Sequence, residues 1–184
     1  MNMRGIAPGL LLAMPQLPDP NFARSVVLMI EHSEEGSLGL VVNRPTDTPV
    51  AEVMKPIGVS WRDPEGLVWL GGPVMPGSGW LLHEPVSTAP NEGTVDLVPG
   101  LSLSNSPQQL RALAERPPGR LRFLMGYAGW GGGQLEGELA RGDWLLAEVS
   151  ADFIFATPHD QMWTAALHQL GADPATLVPG GGVH

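Results

Sequence analysis

The sequence predicts an α+β fold: a single domain with a mixed, mostly antiparallel sheet and helices interspersed between the strands. Three observations carry this. Short apolar, β-rich runs recur along the chain, and several are joined by tight Gly-containing turns, as in hairpins. Apolar residues at helical spacing occur in only a few stretches between them. The 184 residues, 43 % hydrophobic and 16 % charged, suffice for one sizeable core, and no linker divides them. The domain is therefore drawn over residues 1–184, with an ordered core from about 5 to 178. Gly (24) and Pro (19) punctuate the apolar runs rather than forming a low-complexity tract.

The elements follow in order. Gly9 to Met14 reads as a strand, which Pro15, Pro18 and Pro20 stop. Asp19 to Phe22 is a turn, with Phe22 aimed at the core. Ser25 to Ile30 is apolar on both faces after Ser25, as in a fully buried strand. Glu31-His32 end it, Ser33 to Gly36 turn, and Ser37 to Asn43 return as the second arm of a hairpin that Pro45 closes. Thr48-Pro49 has the form of an N-cap followed by a first-turn proline, with a helix to about Lys55. Leu67 to Leu70 is a strand broken by Gly71-Gly72-Pro73-Val74; Gly77 to Gly79 turn, and Trp80 to His83 return. Pro85 to Gly93 is a loop, and Thr94 to Val98 and Leu101 to Leu103 are short strands.

Ser106-Pro107-Gln108-Gln109 has capping-box spacing, and Leu110, Leu113 and Ala114 give the helix behind it an apolar face. Leu121 to Tyr127 is a strand. Gly131 to Gly133 allow a turn, and Gln134 to Arg141 is a short helix that Gly142 ends. Trp144 to Val149 and Phe153 to Phe155 read as strands. Thr157-Pro158 opens a last helix with an apolar stripe of Trp163, Ala166, Leu167 and Leu170. Asp173-Pro174 begins a final turn, and Pro179 to His184 is a frayed tail.

Composition excludes several function classes. There is no Cys, so neither disulfides nor thiolate chemistry is available. The net charge of −9 opposes nucleic acid and anionic membrane as partners; the best candidate for a local basic patch is Arg111, Arg116, Arg120 and Arg122, and the preferred reading of these is solvated charge at a helix end and strand start. The N-terminal apolar run is too short for a secretory signal and is interrupted by Pro8 and Gly9. No run is long enough to span a membrane. The expected location is cytoplasmic, and the expected state a monomer or homodimer.

Several stretches in one order resemble the AlgH (YqgE) family of bacterial proteins. They are Gly9, Leu11, Leu12, Ala13 and Pro15; Asp19, Phe22 and Ser25 to Val27; Glu31-His32; Gly36 and Gly39 to Pro45. The order continues with Gly71 to Val74, Leu82-His83, Gly126-Tyr127, Gly129 to Gly131, Gln134 to Glu136 and Glu138-Leu139. The resemblance covers most of the chain. It implies one α+β domain with a branched, partly barrel-like sheet surrounded by helices. The family name is linked to transcriptional regulation, with no established catalysis. Where the family often has an Arg before the strand of Trp80 to His83, this chain has Gly77-Ser78-Gly79.

Two candidate sites follow. His32, Asn43 and His83, with Asp19, Glu31 or Glu84, could form a polar cluster at strand ends that binds a metal or small ligand or shares acid–base work. The competing and preferred reading is that these side chains satisfy backbone groups. Tyr127, Trp130, Gln134 and Glu138 form the second motif, as a partner-binding surface or as structural packing. Neither a P-loop, a dinucleotide fingerprint nor a nucleophile elbow is present. No metal and no cofactor are expected. The six tryptophans favour a non-enzymatic regulatory or adaptor domain that binds protein partners. The alternative is a small-molecule-binding protein or hydrolase-like enzyme using His32, Asn43 and His83.

Overall fold

The computed structural model describes residues 6–17, 19–86 and 93–173. The expected tail at 179–184, most of the final turn, the middle of the loop before Gly93 and both ends of the proposed ordered core lie outside the described residues.

Strand β1 (Gly9–Ala13) is buried along its whole length and lies between β2 (Val26–Ser33) and the C-terminal β10 (Trp144–Ala147), antiparallel to both. A 3-10 turn over Pro20–Phe22 links β1 to β2. β2 runs through Glu31 and His32 instead of ending before them. It pairs with β3 (Gly36–Val41), with a register shift between Met29 and Glu31. This is the expected hairpin, and the alternation at the solvated end explains why polar residues extend it.

β4 (Pro45–Pro49) was not expected. Proline at both of its ends is tolerated because the strand pairs only with β5 (Leu67–Leu70). Helix α1 (Val50–Met54) starts one residue later than its sequence suggests, with Pro49 as an uncapped N-cap, and runs into a 3-10 turn over Lys55–Ile57. β6 (Val74–His83) is one strand and not two segments. Between Val74↔Tyr127 and Gly79↔Met125 the register shifts, so the Gly77-Ser78-Gly79 stretch bulges out of the ladder. β7 (Thr94–Val98) and β8 (Leu101–Ser104) form the expected hairpin.

Helix α2 (Pro107–Glu115) is capped by Ser106, whose hydroxyl accepts the Gln109 N–H at 3.2 Å. β9 (Leu121–Gly131) is longer than expected. α3 (Gln134–Ala140) is followed by Gly142 at φ 77°, the left-handed position that favours glycine. Phe153 to Phe155 belong to helix α4 (Ala151–Ala156), not to a strand: Ser150 caps it, and Phe153 and Ile154 enter the main core. α5 (His159–Gln169) buries Trp163, Ala166 and Leu167 as expected, but Leu170 lies past its end and is 44 % exposed.

β9 is the axis of the sheet. One edge carries β6, antiparallel. The other edge is shared: Phe123 to Met125 pair with β5 in parallel, and Ala128 to Gly131 pair antiparallel with β3. The sheet therefore branches at Gly126-Tyr127. The Gly71-Gly72 segment crosses there, with the Gly71 N–H on the Met125 carbonyl at 2.7 Å and the Gly71 carbonyl on the Val41 N–H at 2.8 Å. A Cβ on Gly126 would strike the Gly72 oxygen, and one on Gly72 would strike Tyr127 backbone. Only glycine permits so close an approach. The order β10-β1-β2-β3-β9-β6-β8-β7 also curls. Val98 of β7 and Leu146 and Ala147 of β10, the two end strands, line one cleft. The fold is thus a mixed, mainly antiparallel half-barrel with five α-helices among the described residues.

Candidate functional site

The structure does not bring His32, Asn43 and His83 together. His32 stands at the end of β2, across from Ser37, which pairs with Trp130 of β9; His83 pairs with Leu121. Those two positions are nine residues apart on β9, up to about 30 Å of extended strand. No ligand of metal size can touch both imidazoles. Among the described residues no group of three or more His, Cys, Asp or Glu is disposed to hold a metal ion. Asn43 serves the backbone. Its Oδ1 accepts the Val26 N–H and its Nδ2 donates to the Arg24 carbonyl, both at 3.0 Å. Asp19 accepts the Phe22 N–H on its carbonyl and lies in the electrostatic field of Arg44.

His32 is 1 % exposed at its side chain, with Nδ1 2.6 Å from the Ser37 hydroxyl. Its Nε2 lies 3.9 Å from Glu136 Oε1, beyond hydrogen-bond distance.

His83 is fully buried in a polar layer between strands. Its Nδ1 faces the Glu84 carbonyl at 2.8 Å, which only accepts, so Nδ1 carries the proton. Nε2 then accepts from the Ser104 hydroxyl at 2.8 Å, and Ser104 accepts from Thr94 at 2.7 Å. Alongside, Ser102 donates to Asp96 at 2.6 Å. Burial lowers the imidazole's affinity for a second proton; the Glu84 bond and the charge of Asp96 offset this in part. A serine within 2.8 Å of a neutral histidine has the spacing of a nucleophile and its base. Yet Ser104 and His83 are both 0 % exposed, and Ser104 Oγ already bonds on two sides. Neither side chain is open to solvent, and the chain of bonds stitches β6, β7 and β8 together.

The second motif packs inward. Trp130 and Trp144, 6 % and 2 % exposed, both donate their indole N–H to Glu138 Oε1, at 3.0 and 2.9 Å. Gln134 donates to Glu138 Oε2 at 3.0 Å and accepts the Gly131 N–H. Phe22 closes the group, 5.6 Å from Trp144 and 6.3 Å from Trp130. Tyr127 meets Trp80 edge-on at 6.2 Å. Of the six tryptophans three are buried; Trp61, Trp69 and Trp80 are half-buried and none is exposed, so they supply core and not a free surface.

A concave pocket of about 320 Å³ lies elsewhere, between α2, the 3-10 turn after α1 and the sheet. Ile57, Val59, Leu81, Leu110 and Phe123 form its apolar walls. Ser104, Asn105, Ser106 and Arg111 are its polar lining residues. Arg111 ties α2 to the 3-10 turn, its Nη2 donating to the Ile57 carbonyl at 3.3 Å, and Ile57 is 52 % exposed. The sequence signalled the Ser106 cap, the apolar Leu110 and the basic Arg111, but not a pocket. The pocket's parts come from four separated segments, and nothing in the sequence says that they meet.

A smaller cleft of about 230 Å³ gathers Arg24, Asn43, Arg44, His159, Asp160 and Trp163. Arg24 has a left-handed backbone (φ 54°) and lies 4.9 Å over the Trp163 ring. Burial lowers the pKa of Arg44, and Asp19 partly offsets this. Of the four arginines named from the sequence, Arg120 and Arg122 are tied to α4. Arg120 pairs with Asp152 at 2.6 Å. Arg122 donates to the Ile154 and Phe155 carbonyls at the end of α4, and burial pushes its pKa down to about 10.

The comparisons with known proteins agree with this architecture. A family model described as DUF179, AlgH-like, matches residues 10–175. A UPF0301 protein of Myxococcus xanthus is 46 % identical over 184 residues, covering 99 % of this chain and 100 % of that protein. One from Burkholderia multivorans is 39 % identical over 171 residues, covering 91 % and 89 %. The solution structure of the AlgH protein from Pseudomonas aeruginosa superposes with a TM-score of 0.75 at 34 % identity, covering 96 % of this chain and 94 % of that one. A crystal structure from Corynebacterium diphtheriae, with TM-score 0.69 and 24 % identity over 89 % of this chain and 86 % of that one, shares the fold. With its branched half-barrel and a family match over nearly its whole length, this chain belongs to the AlgH-like (UPF0301) family.

Proposed function

We propose that this protein is a non-enzymatic binding domain that acts by taking an apolar group of a partner protein into the pocket beside α2. The observation that carries the reading is the pocket itself. It has about 320 Å³ of mostly apolar space, the size of a small binding site, and Ile57 is exposed at its mouth. An anchor side chain seated in such a pocket commonly dominates the binding energy of an interface. Both serine–histidine pairs at hydrogen-bond distance among the described residues, His83–Ser104 at 2.8 Å and His32–Ser37 at 2.6 Å, have buried side chains, which favours binding over turnover. Any regulatory role would run through protein contact and not through DNA, because the net charge of −9 opposes a phosphate backbone.

The test is capture from the protein's own cells by wild type, by Leu110→Trp, which fills the pocket, and by Ile57→Asp, which charges its rim. Leu170→Asp, an exposed apolar residue elsewhere, is the control. A partner retained by wild type and the control but lost from both pocket variants supports the reading. A partner retained equally by all four overturns it.

A further inference from the structure

We infer that the group this pocket takes is the last residue of a partner chain, a large apolar side chain with its free α-carboxylate beside it. This rests on the partner-binding reading above and names what the partner must present. Charge complementarity is the argument. The chain carries nineteen Asp and Glu against ten Lys and Arg, yet among the described residues that line the pocket none is acidic and one is a cation, Arg111. An acidic protein that keeps this apolar pocket free of carboxylates leaves it suited to an anion.

The polar lining residues Ser104, Asn105, Ser106 and Arg111 fall within one stretch running from the end of β8 into α2, while Val59, Leu81 and Phe123 come from other elements. Most polar atoms of that stretch are already committed. Ser104 bonds His83 and Thr94, the Ser106 hydroxyl caps Gln109, and Pro107 has no N–H. Arg111 is different. It lies one turn after Pro107 on the same helix face, is exposed, and forms no side-chain ion pair among the described residues. Its bond to the Ile57 carbonyl, 3.3 Å, is long. The nine-residue α2 also directs the positive end of its dipole toward this corner.

One cation beside an apolar cavity matches a single negative charge on an apolar body, which is a carboxylate and not a dianionic phosphate. The exposed Ile57 extends apolar surface past the mouth, where the residues preceding a chain end would lie. A small free acid would leave that surface uncovered.

The experiment is amide NMR of the full chain titrated with acetyl-Gly-Gly-Phe, the same peptide as its C-terminal amide, and 3-phenylpropanoate. The free-acid peptide is expected to shift the Leu81, Ser106, Leu110 and Arg111 amides saturably, with the amide peptide at least about tenfold weaker. Arg111→Gln, an exposed substitution, should bring the acid down to the amide's affinity and leave the amide unchanged. Equal binding of acid and amide, no effect of Arg111→Gln, or no saturable shift with either peptide overturns the inference. So does 3-phenylpropanoate binding as tightly as the peptide, which would assign the pocket to small acids. The partner-binding reading is judged separately, by capture with Leu110→Trp, so the two can fail independently.

Discussion

Replacing Glu138 with Ala removes the one oxygen that accepts from two indoles. Trp130 and Trp144 donate to Glu138 Oε1 at 3.0 and 2.9 Å, and both rings are at least nine-tenths buried. Glu138 is half-buried beside the exposed Gln134, so water entering the vacated space offsets part of the loss at the two N–H groups. An unsatisfied buried donor costs about 1–3 kcal/mol, so two cost about 2–5 kcal/mol after partial relaxation. For a chain of this length that is a fall in melting temperature of about 5–15 °C. Glu138→Gln separates the hydrogen bonds from the side chain's bulk. Its carbonyl oxygen still reaches both indoles, and only the bond from Gln134 is opposed, at about 1 kcal/mol. Urea unfolding of wild type and the two variants measures the order. The reasoning fails if Glu138→Ala lies within about 1 kcal/mol of wild type, or if Glu138→Gln is as damaging as Glu138→Ala.

Two further outcomes are expected. Burial places the folded-state pKa of His83 below its ordinary value of 6.5, so between the two values the unfolded chain binds a proton that the folded state refuses. The stability His83 contributes is therefore complete above pH 6.5 and is lost as pH falls below it, with a limiting slope of about 1.4 kcal/mol per pH unit. Urea midpoints between neutral and mildly acidic pH should fall more steeply for wild type than for His83→Gln; equal slopes would contradict this. Gly126→Ala forces a side chain into a left-handed position (φ 79°) against the Gly72 carbonyl at the sheet branch, and should cost at least about 2 kcal/mol in thermal unfolding. A loss under about 0.5 kcal/mol would show that the branch can open without strain.

Much of the candidate chemistry was legible one residue at a time and illegible as a constellation. His83 and Ser104 belong to different strands, 21 positions apart, and meet only because β6 pairs with β8. His32 and His83, both visible as imidazoles near strand ends, are kept apart by the length of β9. Glu138 stood out in the motif Gln134 to Glu138, but its role as acceptor for Trp144 needed the α3–β10 turn to place that ring. Phe153 to Phe155 misled because an aromatic and β-branched run reads as strand. The Ser150 cap and burial against the main core made it helix α4.

What the sequence determined by itself is what local physics controls. Continuous apolar runs made β1 and β2 buried strands, Ser106 started α2, and Gly142 and Gly171, both at positive φ, stopped α3 and α5. The absence of Cys and the acidic charge removed thiol chemistry and opposed a DNA partner. Tertiary structure decided what depends on separated segments meeting. The sheet branches because Gly71-Gly72 and Gly126 approach more closely than any side chain allows. The pocket exists because residues 57–59, 79–81, 104–111 and 123 converge on it. Which strands pair is a balance of burial over the whole chain, so no local pattern encodes it.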